Sequence, residues 1–363
     1  MTFKANWEKT ALKHQLPQGL IEQMVALAIP NKKLHAYELI PGGCANLNIK
    51  IKLDTEDNPF ILRIYLRNPQ STYLEQELGK LLGSIVPLPQ IYYIGDIENY
   101  RFAITEFIPG ITLRDLLLSD QSHDMPSIMF NVGQILAKIN KQKLPSLFPQ
   151  NIAHDDYLLY AKNTLNNIGN KLSKSLITQI YEIFEKNMHL MPVDNEHIMH
   201  GDFDPANILV DKVNPERSEG TRANSFGSSY NISSPNRAKP KLKELDPSFH
   251  SGSAFTQDTN QDTWQITGII DWEFASAGPF LWDIANMLRY THQMPEQFEY
   301  SFLEGLKSQG VVLQNNWRLS VHMFNLESLI DLLNRTDPKG SPNQYADIAQ
   351  LIDYIIGEFS QSY

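Results

Sequence analysis

Two short apolar runs, Asn207 to Val210 and Ile266 to Asp271, flank a long stretch in which no apolar period of either kind occurs. Between Lys212 and Thr263 the chain is dominated by Ser, Asn, Pro, Gly and charged residues. Such a stretch cannot bury enough surface to offset its ordering entropy, so residues 212–263 are expected to be a disordered insertion. The runs on either side read as strands that pair with each other, with the insertion hanging from the hairpin tip, a place that tolerates additions. That pairing couples two residues far apart in sequence, Asn207 and Asp271.

The rest of the chain divides into a strand-rich beginning and a helical remainder. Asn48 to Leu53 and Phe60 to Leu66 are apolar and β-branched, and Asp54 to Pro59 between them is turn-like, which predicts a β-hairpin. Leu74, Leu78, Leu81 and Leu82 recur at helical spacing before Pro87 and Pro89. Two further strands are expected over Gln90 to Ile94 and Phe102 to Ile108. Beyond them Ile128, Val132, Ile135 and Ile139 form one helical stripe, and Leu326, Leu329, Ile330 and Leu333 another. The expected architecture is α+β and two-lobed: residues 1–108 a small antiparallel-sheet lobe, residues 109–363 a mainly helical one.

Composition narrows the classes of function. At 363 residues the chain has room for two lobes, and 42% hydrophobic residues with no long apolar run exclude a membrane-spanning helix. Met1 to Lys13 mixes charged and polar residues and lacks the apolar centre of a secretory signal, which places the expected location in the cytoplasm. The single cysteine, Cys44, agrees with a reducing compartment. A net charge of −10 argues against nucleic acid as a partner and suits a cationic one. A soluble chain with no membrane partner is therefore expected, and no motif bears on oligomeric state.

The densest chemistry lies in His200-Gly-Asp-Phe-Asp-Pro-Ala-Asn207 and, after the insertion, Gly268-Ile-Ile-Asp271-Trp-Glu273. An aspartate, an asparagine five residues later and an aspartate closing an apolar strand are what in-line phosphoryl transfer requires. The protein does little covalent work in that reaction and acts by positioning the acceptor and neutralising charge. Asp202 is the candidate to orient the acceptor hydroxyl and accept its proton. Asn207 and Asp271 are candidate Mg²⁺ ligands, because that hard cation prefers carboxylate and amide oxygens. Asp204, before Pro205, reads as a turn former. Glu327 and Asp331, four apart on a C-terminal helix, read either as a solvated face or as carboxylates facing a cationic substrate. Neither a Gly-x-x-x-x-Gly-Lys-Ser/Thr loop nor a helical pair of metal-ligand histidines occurs.

These motifs resemble the aminoglycoside phosphotransferase and choline kinase group of small-molecule kinases, which have the protein-kinase-like fold. The resemblance runs from about Ile40 to Tyr290 and includes Gly278-Pro-Phe-Leu-Trp-Asp283-Ile-Ala. It implies ATP and Mg²⁺ as cofactors and a hydroxyl of a small molecule as acceptor. Gly201, where protein kinases carry arginine, points away from protein acceptors, as does the lack of an Ala-Pro-Glu segment after Asp271. By the same resemblance Asp283 braces the 200–207 loop, Gly42 and Gly43 turn above the nucleotide phosphates, and Arg63 meets those phosphates. Glu75, or else Glu77, is the acidic partner of Arg63, while Glu106 to Ile108 line the adenine through their backbone. Choline or ethanolamine, homoserine and sugar kinases share this pattern, and a non-catalytic nucleotide-binding relative is the other alternative.

Overall fold

In the computed structural model, which describes residues 3–8, 16–40, 46–54, 56–143, 154–194, 196–213 and 263–361, helix α1 (Gln18–Ala28) precedes β1 (Leu34–Leu39), β2 (Leu47–Leu53) and β3 (Phe60–Tyr65). Helix α2 (Ser71–Leu82), β4 (Ile91–Ile97) and β5 (Tyr100–Glu106) follow. The five strands form one antiparallel sheet in the order β1-β2-β3-β5-β4. The predicted hairpin is β2 and β3, with Asn48 opposite Arg63 and Ile51 opposite Phe60. Alternation buries Leu47, Ile49, Ile51 and Leu53 against α1 residues Ile21, Met24 and Val25. The last expected strand ends at Glu106 rather than Ile108. Glu106 pairs with Phe60, the first residue of β3, and preceding Pro59 has no N–H with which to extend the ladder.

The chain then enters its helical part through β6 (Ile111–Thr112) and α3 (Leu113–Leu117), followed by α4 (Met125–Asn140), α5 (His154–Asn167) and α6 (Lys174–Asn187). Helix α4 carries the predicted stripe and starts where the Asp124 side chain accepts the Ser127 N–H at 3.1 Å. Next come β7 (Ile198–Met199), β8 (Ile208–Lys212), β9 (Trp264–Ile269) and β10 (Ser276–Ala277). Helices α7 (Phe280–Leu288), α8 (Glu296–Ser308), α9 (Trp317–Arg335) and α10 (Pro342–Gln361) complete the chain. The second predicted stripe, Leu326, Leu329, Ile330 and Leu333, is buried on α9.

Strands β8 and β9 pair antiparallel as expected, Ile208 opposite Ile269 and Lys212 opposite Trp264. The Val213 N–H donates to Thr263 O at 2.8 Å, so the ends of the predicted insertion are held together. Its remainder, 214–262, lies outside the described residues, as do Gly42 and Gly43.

Two apolar cores result. One lies between α1 and the five-stranded sheet, and the other runs through the helical part and includes Leu74, Leu78 and Leu82 of α2. Phe3 and Trp7 also join the helical core. Residues 3–8 therefore pack with the helical part, although the sequence boundary put them in the sheet lobe; their two aromatic side chains are buried there rather than on the sheet. No helix among the described residues is long and apolar enough to cross a membrane.

Candidate active site

The 200–207 loop leaves β7, and its shape is set by Asp283 on the first turn of α7. This carboxylate is fully buried and accepts the N–H of His200 at 2.7 Å and of Gly201 at 2.9 Å. Burial pushes its pKa up to about 7, against the opposing pull of those two N–H groups. Gly201 has φ +85°, and a Cβ there would lie 2.4 Å from Phe274 O, so no other residue fits without moving the chain. Its carbonyl accepts from Trp282 Nε1 at 3.0 Å and Asn286 Nδ2 at 3.1 Å. His200 lies beneath the loop: Nε2 donates to Ile270 O at 3.0 Å, and Nδ1 accepts the Asp202 N–H at 3.3 Å. Burial lowers its pKa, and the imidazole stays neutral.

Asp202 emerges from this braced loop. Asn207 Nδ2 donates to its backbone O at 2.8 Å and to Oδ2 at 3.1 Å, while Lys4 Nζ lies 3.3 Å from Oδ1. Burial alone would raise the Asp202 pKa, but the positive charges of Lys4 and Arg289 outweigh it and hold the carboxyl below the usual range. Asp204 forms the expected turn, Oδ1 accepting the Ala206 N–H at 2.8 Å, and its other oxygen takes the ammonium of Lys4.

Asp271 follows β9 in a left-handed conformation, φ 67° and ψ 57°, one of the few non-glycine residues so placed. The Ile270 N–H donates to Asn207 O at 3.0 Å, and this link sets the segment carrying Asp271 beside Asn207. Arg63, on β3, reaches across to Asp271 Oδ1 at 2.6 Å and to Glu75 Oε1 of α2 at 3.3 Å. Tyr65 donates its hydroxyl to Glu75 Oε2 at 2.6 Å. Burial would lower the Arg63 pKa, yet Glu75 and Asp271 together raise it. Of the two acidic residues considered for Arg63, Glu75 is the one beside it; Glu77 is exposed and pairs with Lys80. Asn46 donates to Glu273 Oε2 at 2.8 Å and accepts the Leu66 N–H at 3.2 Å, tying the sheet to the turn after Asp271. Burial and the charge of Asp271 push Glu273 up to about 7.

At the edge of the sheet Glu106 exchanges bonds with Gln90, its N–H reaching Gln90 O at 2.8 Å and its carboxylate accepting the Gln90 N–H at 3.2 Å. Ile108 lies against Gly268, half-buried, and its backbone groups bond to no other described residue. Glu327 is buried rather than on a solvated face, at 2% exposure, and Asp331 pairs with Arg335 and with the Tyr160 hydroxyl. The structure thus gathers Asp202, Asn207, Asp271, Arg63 and Glu75, and leaves Glu106 and Ile108 at the connection between the lobes. Sequence reasoning missed Lys4 and Arg289, the two cations whose charge acts on Asp202, and no local motif marks either.

A small antiparallel sheet joined to a helical body, with Asp202 and Asp271 near the junction, is the architecture of two-lobed protein-kinase-like phosphotransferases. The chain belongs to the phosphotransferase enzyme family, whose model matches residues 36–220 and 249–312. A solved aminoglycoside phosphotransferase, APH(4)-Ia, is similar at 15% identity, with 94% of this chain and 98% of that one covered and a TM-score of 0.61. The choline kinase LicA from Streptococcus pneumoniae is 14% identical over 93% of this chain and 99% of its own, TM-score 0.55. The macrolide 2'-phosphotransferase MphH from Brachybacterium faecium is 13% identical over 92% and 97%, TM-score 0.56. At these identities the likeness is one of fold. An uncharacterized Staphylococcus aureus protein encoded in the ileS 3' region is 26% identical over 116 residues, 31% of this chain and 78% of that one.

Proposed function

We propose that this chain is an ATP- and Mg²⁺-dependent phosphotransferase that moves the γ-phosphoryl group of ATP to a hydroxyl of a small molecule. The observation that carries the reading is Asp202 on a loop braced by Asp283, its carboxylate hydrogen-bonded by Asn207, with Asp271 following the strand paired to the one that Asn207 precedes. In the reaction a bond forms from the acceptor oxygen to the γ-phosphorus while the bond from that phosphorus to the β,γ-bridging oxygen breaks. Asp202 orients the acceptor hydroxyl and takes its proton. The family match and neighbours solved with AMP-PNP and ADP support a nucleotide as donor.

The donor set fits Mg²⁺. Asn207 directs its amide hydrogens to Asp202, which leaves Oδ1 free of any described donor, and Asp271 adds a carboxylate. Two protein ligands suffice for an ion that completes its shell with phosphates and water. When bound there, the ion would neutralise charge on the phosphates. Arg63 is the proposed phosphate contact, Glu75 its orienting partner, and Gly42 and Gly43 the turn over the phosphates. The backbone of Glu106 to Ile108 is the proposed adenine site. A cationic acceptor suits the acidic chain.

The test is to incubate the protein with Mg-ATP and a panel of alcohols, including hygromycin B, spectinomycin, choline and a macrolide. ADP release and phosphate-ester formation are followed together. Turnover with at least one acceptor is expected, and Asp202→Asn should lose about 10²–10⁴-fold in kcat with nucleotide affinity within a few fold. Phosphorylation by the variant at the wild-type rate would remove Asp202 from this role.

A further inference from the structure

Residues 3–8 form a strap that ends in the candidate active site. Phe3 and Lys4 are successive left-handed residues, φ 41° and 63°, a conformation that costs a non-glycine residue about 1–2 kcal/mol. Such strain persists where the surroundings over-determine it, and it clusters at functional sites. Here the surroundings are explicit. Phe3 is 3% exposed and packs on the rings of Tyr290 at 5.2 Å and Phe298 at 6.3 Å. Trp7 Nε1 donates to Asp347 Oδ2 at 2.8 Å, the oxygen that also accepts the Tyr290 hydroxyl at 2.6 Å. The Glu8 carboxylate accepts the N–H groups of Asn343 at 3.0 Å and Gln344 at 3.2 Å, at the start of α10 where negative charge is favoured. Fixed from three sides, the strap places the Lys4 ammonium against Asp204 and 3.3 Å from Asp202 Oδ1.

The charges around that ammonium suggest its use. The 200–207 loop carries Asp202 and Asp204, and Asp271 follows the strand paired with the one after that loop, in a site whose proposed donor is a polyanion. Arg63 is engaged by Glu75 and Asp271, and Arg289 by Asn286, Asn325 and Ser328. Lys4 alone touches Asp202 with a positive charge among the described residues.

We propose that Lys4 is a catalytic residue of the phosphotransferase reaction, its ammonium held by Asp204 so that it contacts the transferring phosphoryl group beside Asp202. The inference rests on the phosphotransferase reading above. It differs from a plug, in which the same lysine would occupy the place of a cationic acceptor and have to leave before turnover. The anchors at Phe3, Trp7 and Glu8 favour the fixed role.

The experiment compares wild type, Lys4→Met and Lys4→Arg with Mg-ATP and the best acceptor of the panel, and kcat and both KM values are read separately. Lys4→Met keeps most of the apolar stem, and thermal melting verifies that it folds. The expected result is a loss of about 10²–10³-fold in kcat for Lys4→Met, the size found for removing one preorganised charge-stabilising donor, with ATP KM within about threefold. Lys4→Arg should recover a tenth or more of the rate, and added methylammonium should partly rescue a folded Lys4→Ala. A folded Lys4→Met with unchanged kcat overturns the proposal. So does one with raised kcat and lowered acceptor KM, which would make the lysine a plug. If wild type is inert with every acceptor, the phosphotransferase reading falls and this inference with it; an active wild type beside an equally active variant overturns the inference alone.

Discussion

Arg63 stands between two carboxylates, 2.6 Å from Asp271 and 3.3 Å from Glu75, and its Nε is buried with no hydrogen-bond partner. A guanidinium so placed holds the acidic groups together before any phosphate arrives, and its planar fork suits phosphate oxygens. If it contacts the nucleotide, Arg63→Ala loses charge-assisted hydrogen bonds worth about 1.5–3 kcal/mol, which is roughly 10–150-fold in ATP KM. Acceptor KM should change by less, and steady-state kinetics with each substrate varied in turn decides this; the reverse order would put Arg63 in the acceptor site. Glu327 gives a prediction about pH. Burial and the nearby charge of Asp331 push it up to about 8, so the folded chain keeps a proton there that the unfolded chain releases near the ordinary 4.5. The folded form therefore binds more protons across that window. The stability from this group is complete at low pH and is lost as pH rises towards 8, at up to about 1.4 kcal/mol per pH unit. Glu327→Gln should flatten that slope in urea unfolding series from pH 5 to 9, and an unchanged slope would mean that the carboxyl titrates normally.

At the level of elements, the 200–207 loop depends on the backbone geometry of Gly201. Gly201→Ala meets both a left-handed φ and Phe274 O at 2.4 Å, whereas Gly310→Ala, with φ +81°, meets only the φ because nothing lies within 4 Å. The first should cost about 2 kcal/mol or more and lower kcat by distorting the loop; the second should cost about 1 kcal/mol and leave kcat alone. Calorimetry with kinetics on both variants checks this, and equal losses would mean that the contact with Phe274 relaxes freely. The contrast also bears on what could be read before the structure. The β2–β3 hairpin, α2, the α4 and α9 stripes and the β8–β9 pairing were legible because each writes its period, or its turn, into adjacent residues. Asp202, Asn207 and Asp271 were legible for the same reason, since their spacing is local to one loop and one strand. The Lys4–Asp202 contact spans 198 positions and follows no period. Arg289 was equally hidden, because a single arginine after an apolar helix looks like an ordinary C-terminal charge. Burial decided Glu327, and a four-residue spacing of carboxylates cannot report burial.

For the molecule as a whole, the 214–262 segment interrupts a hairpin whose strands start just after Asn207 and lead into Asp271, so its effect on the site is a question about the entire chain. The family match itself breaks between 220 and 249, inside this segment. The neck is held without it: Val213 donates to Thr263, Lys212 pairs with Trp264, and Trp264 Nε1 donates to Ser122 O at 3.1 Å. Closing a loop costs about 0.6 kcal/mol more for each doubling of its length, so cutting some fifty residues to two relieves up to roughly 3 kcal/mol of closure entropy. A two-residue Asn-Gly turn has a twist that matches a hairpin. Replacement of 214–262 by Asn-Gly should therefore leave Tm equal or a few degrees higher and kcat/KM for the acceptor within about threefold. Differential scanning calorimetry and initial rates on the shortened chain make the test. A shortened chain that melts like the parent but no longer turns over would show that the segment belongs to the acceptor site, and loss of the cooperative melt would show that the neck cannot close alone.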